Sequence, residues 1–489
     1  MLAARLLWLF VLCAPAGVAA ESRLAARGPL TGDPTLIAAV APLLEAPVLK
    51  GARLGLCVAG ADGGAALLAL DADAPLHPAS NVKLLTTAAA LVRLGPDFTL
   101  DTELWSTPLT EGRAQSLWLV GRGDPGLLVE DLWRLVDEAY QRGLRRVEGD
   151  LLLDESSFTP DHEAPGFDAR TTDEAFRAPT GALSLNFNAV RVRVEAGASP
   201  GMAPRITVDP ASSHVRVDNQ ATTRRRGRPT LKIQAVTEAG QLVVRVEGAL
   251  AVGEPAFETR RRVSDPVAFV GETLRALLVQ RGIEVVGATR LLSAPPPADR
   301  VLLGRQTSRP VAWLVAQVNK YSNNFMAEQL LRVLGAVRRG RGGFDEGRQE
   351  IIDFLEREVG LGTVRLANGS GLFGDSAVTP AQLVRLLQWM RARRPALPEY
   401  DASLAIGGAD GTLRKRMKAA PAYSVRAKTG TLDGVVALSG YTTFADGSPA
   451  AFSMLFNDVP DRPWDVWQVQ DAVIAAIQGF TPPPRGLDR

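Results

Sequence analysis

Hydrophobic and polar positions along the chain alternate between short strand-like runs and longer helical ones. Asp33-Pro34 opens a helical repeat through Leu44, an N-cap followed by proline at the first helical position. Residues 53–60 and 65–70 read as two strands joined by the turn Asp62-Gly63-Gly64. Pro78-Ala79-Ser80 then leads into an apolar helix through Leu94, which Gly95-Pro96 terminates. Near the C-terminus, residues 423–429, 435–444 and 450–456 read as three strands, with Asp446-Gly447 turning between the last two. Residues 466–477 repeat apolar side chains at helical spacing. Strand pairs flanked by terminal helices predict an α/β (α+β) domain, with one antiparallel sheet joining the two ends of the chain.

The middle of the chain interrupts that domain. Between Ser80 and Ser322 lie about 240 residues, more than one domain's worth. Residues 117–121, 131–140 and 147–153 read as strand, helix and strand. Residues 206–217, 231–236 and 241–246 read as a small β unit, and 267–280 as a helix ended by Arg281-Gly282. Pro295-Pro296-Pro297 reads as the linker back. The expected division is a leader at 1–20, one domain from 21–96 and 303–489, an inserted domain from 97–205 and 258–302, and a small β domain at 206–257 nested within it. Both inserted parts are expected to be mainly β. We find no internal repeat.

Composition narrows the class. The chain has 489 residues, 46% of them hydrophobic, which suits a globular protein with more than one core. A formal net charge of +2 gives no overall field that would favour nucleic acid. Arg224-Arg225-Arg226 and Arg260-Arg261-Arg262 read as solvated loops. Residues 1–20 read as a secretory leader: Arg5, an apolar run from Leu6 to Cys13 too short to span a bilayer, and Val18-Ala19-Ala20 before Glu21. Cys13 invites lipid attachment, but Leu12 stands where a small residue is needed. No later stretch reads as a transmembrane helix. The mature chain is therefore expected to be exported, to a periplasm or to the wall side of a host without an outer membrane.

Removing the leader leaves Cys57 as the one cysteine, so no internal disulfide is expected. Its apolar neighbours make it a buried strand residue, with no basic cluster to activate it. Three histidines without clustered ligands argue against a metal site, and no cofactor is expected.

Three short motifs carry the chemistry: Ser80-Asn81-Val82-Lys83, Ser322-Asn323-Asn324 and Lys428-Thr429-Gly430. A serine and a lysine three residues apart put a nucleophile and a base on one helical turn. The Ser80 N–H at a helix start can hold an oxyanion. Lys83 must lose its proton to act as a base, and burial together with a nearby Lys428 would both favour the free amine. Ser322 can pass a proton to a leaving amine and Asn324 can donate to a substrate amide. The ordinary use of such a polar triplet between two apolar helices is capping, and both uses are compatible. Lys428-Thr429-Gly430-Thr431 reads as a strand end. Gly430 lets a peptide lie alongside, Lys428, Thr429 and Thr431 can bind a terminal carboxylate, and the Thr431 N–H would be the second oxyanion donor. His77 is too close in sequence to Ser80 to reach around the helix start as a triad base.

With these motifs in this order, residues 21–489 resemble the class C low-molecular-mass penicillin-binding proteins, the D-alanyl-D-alanine carboxypeptidase/endopeptidases of the bacterial wall. Flanking stretches share the likeness: Gly123-Asp124-Pro125, Ala164-Pro165-Gly166, residues 182–186, Gly369-Ser370-Gly371-Leu372 and Asp410-Gly411-Thr412-Leu413. The resemblance implies a transpeptidase/β-lactamase-like catalytic domain with two domains inserted after the nucleophile helix. It also implies peptidoglycan stem peptides as substrates and β-lactams as covalent inhibitors. Ser80, Lys83, Ser322, Asn324, Lys428, Thr429 and Thr431 take the roles given above. The family places an acid for a diaminopimelyl amine near Ala-Pro-Gly, which points to Asp161 or Glu163 on either side of His162. The segment from Asn368 departs from the family, which commonly begins it with Asp and follows Gly-Ser-Gly-Leu with Ser-Arg; here Asn368, Phe373 and Gly374 occupy those places.

Two other classes compete. A β-lactamase or esterase on the same machinery would turn over β-lactams rapidly, whereas a peptidase would hold a long-lived acyl-enzyme. A non-catalytic peptidoglycan-binding module would form no acyl-enzyme. Carboxypeptidase and endopeptidase use the same groups, so the motifs leave the balance between them open, as they do the oligomeric state.

Overall fold

The computed structural model describes residues 28–167, 172–292, 296–393, 396–421 and 423–483; the leader read at 1–20 and Pro295 of the proline run lie outside them. A seven-stranded, wholly antiparallel sheet forms the centre of the first domain. Arg53–Gly60 pairs with Pro449–Asn457 in the middle of it, so the two ends of the chain are joined as expected. Strand alternation sends Leu54, Leu56, Val58, Leu438 and Met454 to one face, against the terminal helices Pro34–Leu44 and Pro463–Gln478. Cys57, Ala59, Ala437, Tyr441 and Leu455 face the other way, into the core built by Val82–Leu94, Val311–Tyr321, Asn324–Arg339 and Pro380–Ala392. Burial pushes the Cys57 thiol up to about 12, which keeps it inert. No helix among the described residues is long and apolar enough to cross a membrane.

The first helix starts on Asp33, whose carboxylate accepts the N–H groups of Thr35 and Leu36. Three strand readings need correction. The expected strand at 423–429 is Arg426–Leu432, so the Lys428–Thr431 motif lies inside the strand and not at its end. The run 147–153 is two strands, Arg146–Val147 and Leu151–Asp154, in two different sheets. The run 206–217 likewise splits into Arg205–Asp209 and Val215–Asn219. Each merged reading ignored the polar residues that break it, Glu148-Gly149-Asp150 and Pro210 to His214.

The inserted material is mainly strand, as expected. Its five-stranded mixed sheet packs with two long helices, Val129–Gln141 and Pro266–Arg281, into one core. Leu242, Val244 and Val246 of the nested unit belong to that same apolar cluster, so the 206–257 boundary does not separate two cores. Nor does the chain return at the proline run: Val301–Thr307 still pairs with Asp101–Ser106 inside the inserted sheet. The crossing lies just beyond, where Val311 N–H donates to Phe98 O and Ala312 N–H to Pro96 O, at 3.0 and 2.9 Å.

Arg332 fastens the two parts together. Fully buried, it donates to the carbonyl oxygens of Gly342, Thr180 and Thr159 at 2.9, 2.8 and 2.6 Å, between the rings of Phe158 and Phe344. Methionine would fill the space but strand the Thr180 and Thr159 carbonyls and leave Gly342 O with the Thr159 N–H alone. We expect Arg332→Met to lower unfolding free energy by about 3 kcal/mol, read as a lower urea midpoint. An unchanged midpoint would show that the arginine is dispensable to the docking.

Candidate active site

The site forms where the helix Val82–Leu94 begins beside the strand Arg426–Leu432. Ser80 lies in a short 3-10 turn, Ala79–Asn81, that runs into that helix. The turn is held from three sides. Asn81 Nδ2 donates to Ser439 Oγ on the sheet at 2.9 Å. His77 Nδ1 accepts the Ala79 N–H at 3.1 Å while its Nε2 lies 3.2 Å from Gly374 O. Both ring nitrogens are thereby occupied in shaping the turn. Gly371 and Gly430 press against it from outside. A Cβ on Gly371 would sit 2.0 Å from Ala79 O, and one on Gly430 3.0 Å from both Ala79 Cβ and Pro78 O. Gly430 therefore has a packing reason beside the substrate-approach reason read from the sequence.

Lys83 and Lys428 are both fully buried. Lys83 Nζ lies 2.9 Å from Ser80 Oγ, 2.7 Å from Asn324 Oδ1 and 2.7 Å from Ser370 O. Lys428 Nζ lies 2.9 Å from Ser322 Oγ and 2.7 Å from its neighbour's carbonyl, Thr429 O. Burial pushes Lys83 down to about 7, against the opposing pull of Glu328. Lys428 is driven well below the ordinary lysine range by burial first and by Lys83 second. Burial is thus the main cause at both amines, and the repulsion between them, being mutual, works in the same direction.

Ser322 takes a left-handed conformation, φ 57° and ψ 38°, at the end of Val311–Tyr321. Asn323 caps the next helix, accepting Met326 N–H at 3.0 Å, and so leaves Asn324 for the site. Capping and site functions are thus divided among the three residues. Asn324 Nδ2 donates to Phe176 O at 3.0 Å, which brings the inserted domain to the rim. Thr429 Oγ1 donates to Thr412 Oγ1 at 2.8 Å. On its outer side the strand pairs with Ala405–Ile406 over Arg426 and Ala427 alone. From Lys428 to Leu432 that edge has no strand partner among the described residues.

A cavity of about 450 Å³ opens here, lined by Ser80, Ser322, Asn324 and Thr431 with Phe176, Leu372, Phe373, Leu432 and Asp433. It gathers part of the expected set, and Lys83, Lys428 and Thr429 stand directly behind it through the contacts above. Asp161 and Glu163 do not line it. Glu163 is ion-paired to Arg262, His162 contacts Glu155 Oε2 at 2.8 Å, and Asp161 is exposed on the same loop. The departure at Asn368 has a visible use. Its Nδ2 donates to Pro165 O of the inserted domain and to Leu372 O, both at 2.9 Å, which an ionised aspartate could not do. No cluster of metal-ligating side chains occurs among the described residues.

Sequence reasoning missed Asn81, Ser370 and Glu328. Asn81 lies inside the Ser80–Lys83 motif, where the sequence gives no sign that it points at the sheet. Ser370 acts through its carbonyl, which leaves no trace in a side-chain pattern. Glu328 was findable: Asn324, Glu328 and Arg332 recur one turn apart in a helix whose other first-half positions are largely apolar.

An antiparallel sheet between helical layers, with a serine and two buried lysines at its edge, defines the transpeptidase/β-lactamase class of fold. Residues 36–476 match the D-Ala-D-Ala carboxypeptidase 3 (S13) family, and the chain belongs to that family of serine hydrolases. It is 33% identical over 434 residues to a D-alanyl-D-alanine carboxypeptidase of Actinomadura sp. (strain R39), covering 85% of this chain and 79% of that protein. The crystal structure of penicillin binding protein 4 from Haemophilus influenzae superposes with a TM-score of 0.78 at 24% identity, over 90% of this chain and 99% of that one. The same protein complexed with a β-lactam gives a TM-score of 0.72 at 25% identity, over 89% and 97%.

The tightest steric constraint on the site is Gly371, whose φ of +72° and contact with Ala79 O exclude a side chain. We expect Gly371→Ala to cost about 3 kcal/mol of stability or more, measured by urea unfolding. A wild-type midpoint would show that the turn can move away.

Proposed function

We propose that the chain is a serine D-alanyl-D-alanine carboxypeptidase of peptidoglycan, with D,D-endopeptidase action on cross-linked stem peptides through the same acyl-enzyme. One observation carries the mechanism. Lys83 Nζ is sealed from solvent, lies 2.9 Å from Ser80 Oγ and gives N–H bonds to the carbonyl oxygens of Asn324 and Ser370, so that in the amine form, which burial favours, the lone pair is left for the Ser80 hydroxyl proton. In the ammonium form the third N–H goes to Ser80 Oγ instead, and no lone pair remains to receive that proton.

The steps follow from this placement. The substrate's terminal D-alanine lies along the open strand edge, with its carboxylate toward Lys428, Thr429 and Thr431. An anion there favours the charged form of Lys428, and that charge in turn keeps Lys83 neutral. Ser80 Oγ attacks the penultimate D-alanyl carbonyl and yields its proton to Lys83. The oxyanion faces the N–H groups of Ser80 and Thr431. The C–N bond then breaks, and the leaving amine takes, through Ser322, the proton that Lys83 received, so Lys83 is a free amine again; Lys428 Nζ touches Ser322 in this relay. Water attacks the acyl carbon next, gives its proton to Lys83, and Ser80 is restored with release of the shortened peptide. A β-lactam enters the same path as a covalent inhibitor, because its amide opens without losing the leaving group from the site.

The acids of the 161–163 loop are outside the cavity, so reading of the stem-peptide side chain falls to the cavity wall of Phe176, Leu372, Phe373 and Leu432. Such a reaction belongs outside the cytoplasmic membrane, consistent with the leader read at 1–20.

Incubation with benzylpenicillin is expected to add one penicilloyl mass to the wild-type chain and none to Ser80→Ala. Lys83→Arg keeps the charge but cannot deprotonate, and acylation is expected to fall by about 10³-fold or more. An adduct on Ser80→Ala, or near-normal acylation of Lys83→Arg, would overturn the assignment. A non-catalytic homologue would form no adduct at all.

The pH dependence has a definite sign. Lys83 serves as base only when unprotonated, and burial sets its midpoint at about 7. Stopped-flow acylation by a chromogenic cephalosporin is expected to rise with pH through about 7 and level off above it. A rate that is flat across neutral pH would exclude a titrating Lys83.

A further inference from the structure

The helix Asn324–Arg339 carries a polar column through the core. Asn324, Glu328 and Arg332 recur one turn apart. Asn324 touches Lys83 and Arg332 fastens the inserted domain. Glu328, wholly buried, belongs to neither task. Its Oε2 accepts the Gly369 N–H at 2.9 Å and its Oε1 the Ser370 N–H at 2.8 Å. Both oxygens act as acceptors: burial pushes Glu328 above the usual carboxylate range, and these hydrogen bonds together with Lys83 pull it back toward the ionised form. Ser370 then offers its own carbonyl to Lys83 Nζ. The other side of the loop is closed by Thr86, whose hydroxyl donates to Gly369 O at 2.7 Å.

We propose that Glu328 is a positioning residue for the general base: it clamps the Gly369–Ser370 backbone so that the Ser370 carbonyl aims Lys83 Nζ at Ser80, and its charge partly offsets what burial does to that amine. This rests on the reading of Lys83 as the base. The surroundings make the charge effective. The direct partners of Lys83 are neutral: Ser80, Asn324 and Ser370. The charged groups facing it are Glu328 from the helix and Lys428 from the strand. Glu328 in turn has Arg332 one turn along, and Arg332 also feels Glu155, Asp161 and Glu346. A negative Glu328 favours the ammonium form of Lys83, whereas burial favours the amine and outweighs it.

Glu328→Gln removes the charge and nearly keeps the shape. Two effects follow. The amide NH₂ now meets one of the two loop N–H groups, donor against donor, so the Ser370 carbonyl is held less firmly. Without the carboxylate, Lys83 stays unprotonated at lower pH.

The experiment is the pH profile of penicillin acylation on the full mature chain, with the Ser80 adduct confirmed by mass. In Glu328→Gln the plateau is expected to fall about tenfold or more, and the acid limb to move down by about one pH unit. A merely structural role would lower the fraction of labelled protein and leave the limb where it is, and that result would overturn the proposal. If Glu328→Gln fails to fold, Glu328→Asp serves. It keeps the charge but withdraws the oxygens by one methylene, so the plateau should fall with the limb in place. A wild-type plateau in Glu328→Asp would equally overturn the proposal. Failure of the underlying reading looks different: the wild type forms no Ser80 adduct, or Lys83→Arg acylates normally.

Discussion

One buried amine constrains most of this architecture. Lys83 is fully enclosed, so its Nζ must have partners for its N–H bonds, and the site must keep it largely uncharged. Those partners come from three separate stretches of chain: Ser80 in the turn before its own helix, Asn324 at the start of another helix, and the Ser370 carbonyl in a loop. None can shift without leaving the amine unsatisfied. Asn81 pins the turn to the sheet, Gly371 lets the loop approach the turn, and Glu328 pins the loop to the helix. The same contacts that satisfy the amine also place it 2.9 Å from the serine hydroxyl, so the stability of the buried group and the geometry of the proposed nucleophile have one source.

The sheet contributes rigidity on one side and an opening on the other. Its central strands are buried on both faces, while the last strand, Ala405–Ile406, covers only the beginning of Arg426–Leu432. An exposed edge is ordinarily a hazard for aggregation. Here the open length is short, it follows a buried lysine, and it stands under the rim formed by Phe176 and Phe373. That leaves an edge of a length an extended peptide can complete.

Much of this could be read from residue order alone. The three motifs named the side chains that gather around the cavity, because catalytic chemistry restricts residue type at fixed spacing. The terminal strands and helices were legible because their periodicity is uninterrupted. The failures have physical causes. Short polar breaks such as Glu148-Gly149-Asp150 divide strands that hydrophobicity joins. The nested unit reads as a separate domain because its strands are regular, yet Leu242 and Val244 pack into the same core as Val190 and Val192. Glu163 has the right charge and neighbourhood for substrate, but Arg262, about a hundred residues away in sequence, occupies it. Backbone groups, the Ser370 carbonyl above all, are invisible to any side-chain reading.

The long insertion between the first two motifs is compatible with so tight a site because of where it leaves and returns. Its two ends are tied by backbone bonds, Val311 to Phe98 and Ala312 to Pro96, directly beyond the helix that carries Lys83. To the catalytic core it is a closed loop, and lengthening a closed loop costs little entropy. The insertion then folds back and contributes to the site from outside. Gln329 donates to the Gly123 and Gly181 carbonyls, Asn368 to Pro165, and Asn324 to Phe176. Each of these contacts pairs a core residue's side chain with an inserted backbone carbonyl. The core therefore supplies the side-chain donors that fix the inserted rim, and the rim adds Phe176 to the cavity wall. A segment of more than two hundred residues thus reaches the serine's surroundings through a few backbone carbonyls held by core side chains, several of them on the helix that begins at Asn324.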